Sequence, residues 1–99
     1  MNSIALADGF AALGAQPRLA ILRALVRAGQ GGLTVGEVQA RTGMPASTLS
    51  HHLKTLSDAG LIDQEKIGRS MINRANFDLL ETLASFIRDE CCAEEVQRP

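Results

Sequence analysis

The sequence predicts a mainly α chain carrying one β-hairpin, and three observations predict it. Apolar residues return at helical spacing over most of its length. Residues 61–74 switch to an apolar–polar alternation around Gly68-Arg69. Between them, from Thr34 to Leu56, two short helical patterns meet across a tight turn at Gly43-Met44-Pro45.

The first helix is expected over residues 3–13, where Ile4, Leu6, Phe10 and Leu13 fall roughly at helical spacing and Gly14 ends the run. Pro17 suits the first turn of a second helix, where its missing N–H costs nothing. That helix, residues 17–28, carries Leu19, Ile21, Leu22, Leu25 and Val26, with Arg18, Arg23 and Arg27 off the stripe. Gln30-Gly31-Gly32 breaks the chain. Thr34 is placed as an N-cap, with Glu37 three residues on to complete a capping box. The short helix it opens stops at Gly43. Pro45 or Ala46 starts the next, which runs to about Ala59 before Gly60. Leu49, Leu53 and Leu56 form its buried seam. Residues 61–66 and 70–74 read as the hairpin strands. Asn76 or Asp78 opens a last helix, in which Phe77, Leu80, Leu83, Ala84, Phe86 and Ile87 fill two adjoining faces. One face meets the core, and the other asks for a partner. The order α-α-α-α-β-β-α, with a helix-turn-helix followed at once by a hairpin, is a winged helix-turn-helix. The hairpin is the wing.

The 99 residues fit one domain, residues 1–99, and a chain this small is often completed by self-association. Apolar residues make up 45% of it, a globular value. No stretch approaches the ~20 apolar residues of a membrane span. No basic region followed by an apolar run opens the chain. The expectation is a cytoplasmic protein with no membrane partner, its two cysteines held as thiols. No nucleophile–base–acid set or phosphate-cradling glycine loop can be assembled, so an enzyme is not expected.

The net charge of −1 does not advertise nucleic-acid binding, but its distribution does more. From residue 40 to 75, Arg41, Lys54, Lys66, Arg69 and Arg74 outnumber Asp58, Asp63 and Glu65. From residue 76 on, Asp78, Glu81, Asp89, Glu90, Glu94 and Glu95 outnumber Arg88 and Arg98. With the leucines of the second motif helix turned inward, Ser47, Thr48, Ser50, His51 and Lys54 fall on its outer side. Hydroxyls bond base edges or phosphates, an imidazole reads a purine edge, and an ammonium reaches guanine or phosphate. Lys66 and Arg69 at the wing are placed for backbone or minor groove. Bland readings stand beside these. Ser47 could cap the helix start, and His51-His52 could be an exposed polar pair or include a satisfied buried imidazole. Adjacent histidines diverge by ~100° on a helix, which disfavours a shared metal.

These residues resemble the ArsR-type (arsenic repressor) winged-helix regulators. The likeness covers Phe10-Ala11-Ala12-Leu13-Gly14, Pro17-Arg18-Leu19-Ala20-Ile21-Leu22, the run from Ser47-Thr48-Leu49-Ser50-His51-His52 through Gly60-Leu61-Ile62, and Gly68-Arg69-Ser70. It implies a homodimer through the first and last helices that binds an inverted repeat in double-stranded operator DNA. It implies repression without a required cofactor, relieved when an effector binds. The thiol-rich motif some members carry before the recognition helix is missing, since residues 34–42 hold no Cys. A zinc-type Asp/His pattern is missing from the last helix. The vicinal pair Cys91-Cys92 remains, and it resembles a subgroup that binds trivalent arsenic or antimony there. Many of those proteins have a third cysteine a few residues later, and residues 93–99 offer none. Two sulfurs fit arsenite, and perhaps better an organoarsenical with only two exchangeable positions. Chelation is expected to bend the last turn of the dimer helix. Other readings stay open: a thiol-redox sensor of the same fold, a pair without a sensing role, or a winged-helix protein-interaction module that does not bind DNA.

Overall fold

The computed structural model describes residues 2–98. Helix α1, Ser3–Leu13, begins where the Asn2 side chain accepts from the Ala5 N–H at 2.9 Å. Gly9 faces α5, and a Cβ there would lie 3.2 Å from the Leu83 side chain. The missing side chain is what lets the last helix cross α1 closely. Helix α2, Gln16–Ala28, has its proline in the first turn and buries Ile21, Leu22 and Leu25.

Helix α3, Val35–Thr42, carries the expected capping box in both directions. Glu37 N–H donates to Thr34 Oγ1 at 3.2 Å, and Thr34 N–H donates to Glu37 Oε1 at 2.9 Å. It ends at Gly43, in the left-handed region at φ 71°. Helix α4, Ala46–Asp58, buries Leu49, Leu53 and Leu56 against α2 and α3. Its leucine seam joins Ile21, Leu25, Val38, Leu61 and Ile62 in the core. Helix α5 is Phe77–Arg88. Asn76 is used twice before it, accepting from Leu79 N–H at 3.2 Å and donating to the Gly60 carbonyl at 2.9 Å.

The sheet is larger than the two-stranded hairpin expected. A two-residue strand β1, Leu33–Thr34, adds to the hairpin of β2, Ile62–Ile67, and β3, Ser70–Ala75. The strand order is β1-β3-β2, antiparallel throughout. Two residues carry no periodicity, so this strand left no trace in the hydrophobic pattern. Its contact is nevertheless tightly built. Buried Asn73 donates to the Leu33 carbonyl at 3.2 Å and accepts from Gln64 Nε2 at 2.8 Å, so one amide links all three strands. A Cβ on Gly32 would come within 2.5 Å of the Asn73 carbonyl oxygen, and its φ is 69°. Only glycine fits there without strain.

Candidate nucleic-acid interface and thiol pair

On α4, Ser47, Thr48, Ser50, His51 and Lys54 are all exposed, opposite the leucine seam. Ser47 is not used as a cap. Pro45 holds the N-cap position, and no side chain caps there. Its hydroxyl is therefore free for other partners. Lys54 Nζ pairs with Asp58 Oδ2 at 2.8 Å, the side chains being 74% and 65% exposed. That hydrogen bond and the carboxylate charge hold the Lys54 ammonium above its ordinary pKa. An exposed pair of this kind stabilises little and exchanges readily, so Lys54 stays a usable cation.

Ser50 and Lys54 line one shallow depression with Gln64 at the base of the wing. The α4 face and the hairpin thus form a continuous surface. Lys66 and Arg69 are exposed toward the hairpin tip, where Gly68 turns the chain at φ 61°. Ile67 and Met71 beside them are 53% and 38% exposed. Sequence reasoning did not single these two out, because they fit the strand alternation as well as core residues do. Arg74 is bound into the frame. It donates to Glu65 Oε1 and to the Gln30 carbonyl, each at 2.8 Å, bracing the wing to the α2–β1 connection.

His52 parts company with His51. His51 is exposed, whereas His52 is half-buried with its Nδ1 3.5 Å from Arg18 Nη1. Arg18 also donates to the carbonyls of Ala11 and Ala12 at the end of α1. Desolvation first, then the charges of Arg18 and His51, lower the His52 pKa. The folded protein therefore favours the neutral ring. As pH falls below about 6.5, the unfolded chain takes up its proton before the folded one does, and stability declines with acidity. His52→Gln is expected to flatten that decline between about pH 7.5 and about pH 5.5, read as urea midpoints.

Cys91 and Cys92 sit differently from expectation. Helix α5 ends at Arg88, so the pair lies beyond its last turn. Successive turns follow, with Cys91 N–H on the Arg88 carbonyl at 2.9 Å and Glu95 N–H on the Cys92 carbonyl at 3.0 Å. Cys92 adopts φ 63°, a left-handed conformation a side chain rarely takes. That turn swings the two sulfurs together instead of splaying them as a helix would. Both thiols are free and exposed, with Sγ atoms 3.3 Å apart. The hydrogen bond with Cys91, then Glu95, raises the Cys92 pKa, so it rests protonated. Among the described residues, no three His, Cys, Asp or Glu side chains converge as a metal site, and no helix is long and apolar enough to cross a membrane.

An exposed polar face on the second helix of a helix-turn-helix, contiguous with a basic-tipped hairpin, defines a winged helix-turn-helix protein of the DNA-binding type. Residues 17–65 match a family described as a helix-turn-helix domain. The chain is 37% identical over 73 residues to the uncharacterized HTH-type transcriptional regulator YceK of Bacillus subtilis (strain 168), covering 74% of this chain and 72% of that protein. An ArsR-like transcriptional regulator from Rhodococcus sp. RHA1 superposes with a TM-score of 0.76 at 28% identity, over 87% of this chain and 78% of that one. The homodimeric winged helix-turn-helix DNA-binding domain of Mb0332 from Mycobacterium bovis, a possible ArsR-family regulator, gives 0.71 at 26% identity, over 97% and 89%. The chain belongs to the ArsR family of helix-turn-helix transcriptional regulators, a family of regulators and not of enzymes.

Proposed function

We infer that residues 1–99 form one homodimeric repressor domain, acting in the cytoplasm on double-stranded operator DNA. The observation that carries the DNA reading is the uncapped, exposed row Ser47, Thr48, Ser50, His51 and Lys54, standing on a buried leucine seam. Its hydroxyls, ring and ammonium are the groups that read base edges and phosphates in a major groove. Lys66 and Arg69 add wing contacts to the backbone or minor groove. Self-association is supported by uncovered apolar side chains on α1 and α5: Ile4 is 73% exposed, Phe86 56% and Ile87 70%. A two-fold dimer places its reading helices ~34–36 Å apart, which calls for an inverted repeat.

The effector reading rests on the sulfurs of Cys91 and Cys92, 3.3 Å apart and free. Soft thiophilic centres suit such a pair, and trivalent arsenic or antimony is the class proposed. Condensing R–As(OH)2 with two thiols forms two As–S bonds and releases two waters, each thiol proton leaving with one hydroxide. Protonated thiols suit that exchange, and no redox partner is needed. A monosubstituted arsenical is satisfied by two sulfurs, whereas arsenite keeps one hydroxide. With the pair beyond α5, capture acts on the turn that follows the helix, not by fraying the helix itself.

The test is an anisotropy titration on a duplex selected from a random pool, under reducing conditions. Phenylarsine oxide is expected to release wild type, with 5- to 150-fold weaker binding for a coupling of about 1–3 kcal/mol. Cys91→Ser/Cys92→Ser is expected to stay bound. Release of the double variant by the arsenical would overturn the effector reading. Release of wild type by peroxide alone would favour the redox alternative.

A further inference from the structure

A second concentration of positive charge lies away from the α4 face. Arg23, Arg27 and Arg41 converge on a groove of about 570 Å³ between α2 and α3, lined otherwise by Ala20 and Ala24. Arg23 and Arg27 stand one turn apart on α2, so their charges share one face and repel. Arg41 comes from the last turn of α3. All three are exposed, and among the described residues none has an ion pair or a side-chain hydrogen bond. Other arginines are spent: Arg18 on the α1 carbonyls, Arg74 on Glu65 and Gln30, Arg88 on Glu81. No acidic residue lines the groove. Helix dipoles account for Arg27 and Arg41 one at a time, since each sits in a last turn. They do not account for Arg23 in mid-helix, nor for three uncompensated guanidinium groups meeting in a chain of net charge −1.

We propose that this groove binds a phosphate group. Guanidinium forks match phosphate oxygens two at a time, and small alanines leave the space open. One source is the backbone of the bound duplex, because α3 is the first helix of the helix-turn-helix, the element that crosses the DNA backbone in such motifs. The other is a free phosphorylated molecule. The first source rests on the DNA-binding reading, and the second does not.

The experiment compares wild type with R23Q/R27Q/R41Q, whose melting temperature should be unchanged or higher once the repulsion is relieved. Arginine Nε–Hε NMR signals are followed while inorganic pyrophosphate is added, against sodium chloride at matched ionic strength. The slope of log Kobs against log[salt] is measured on the selected duplex. A variant slope shallower by about 1–3 assigns the groove to backbone phosphates. Saturating pyrophosphate shifts at Arg23, Arg27 and Arg41, absent at Arg69, with an unchanged slope assign it to a free phosphate ligand. An unchanged slope without selective shifts overturns the proposal. Should wild type bind no duplex, the repressor reading falls while the pyrophosphate titration still decides this one.

Discussion

Replacing Ser50, His51 and Lys54 together by alanine is expected to weaken binding to the selected duplex by at least about 100-fold, at about 1–3 kcal/mol for each good base contact. The three side chains are exposed and turned away from Leu49, Leu53 and Leu56. Folding should therefore barely notice. The Lys54–Asp58 pair is the one interaction lost, and an exposed pair at this spacing contributes about 0.3–0.5 kcal/mol. The informative readout is the ratio of affinities for selected and scrambled duplexes. Base-reading residues should collapse that ratio toward one, leaving the residual salt-dependent binding in place. If affinity and ratio both survive, α4 does not read DNA, and the protein-interaction alternative gains ground. Arg69→Ala makes a useful contrast, because a wing contact to phosphate should weaken both duplexes alike.

A single acidic substitution on α5 should have a comparable effect without touching any proposed DNA contact. Ile87 is 70% exposed in the lone chain, so Ile87→Glu leaves the protomer folded. In a dimer it would bury a carboxylate against apolar surface, which is strongly unfavourable. Sedimentation should show a monomer at concentrations where wild type is dimeric. Binding to an inverted repeat should fall about 10²–10⁴-fold, the range that joining two sites in one molecule supplies. Phe86 is a poorer choice for this test. Its ring packs 6.3 Å from Phe10 within the same chain, so replacing it also disturbs the α1–α5 contact. A dimeric Ile87→Glu protein would show that the apolar face is not the interface.

Much of this was legible in the sequence where a local rule and a periodic pattern agreed. Thr34 and Glu37 announced a capping box, and both of its hydrogen bonds are present. The spacing of Leu49, Leu53 and Leu56 identified the inner side of α4 and, by subtraction, its outer one. The two faces of α5 divided as their pattern required, with Leu79 and Leu83 inside and Phe86 and Ile87 outside. Features set by distant pairings escaped. Strand β1 exists because β3 lies beside it, and the burial of Asn73 follows from that pairing 40 residues away. The Cys91-Cys92 geometry escaped for a different reason. Continuing α5 to Cys92 seemed natural, yet no apolar residue after Ile87 up to the cysteines gives the helix a face to bury. The helix stops at Arg88, and the chain turns into a conformation that periodicity does not encode.

Arg18 grips the last carbonyls of α1 with part of its guanidinium and meets the ring of His52 on α4 with the rest. In effect it is a strut between the scaffold's outer beam and the element inserted beneath it. A hinge at that joint would have to surrender charge-assisted bonds, so the two helices pivot as a linked pair. Any change in how two copies lean on one another is then delivered mechanically, by lever action, at the point where α4 leaves the protein body.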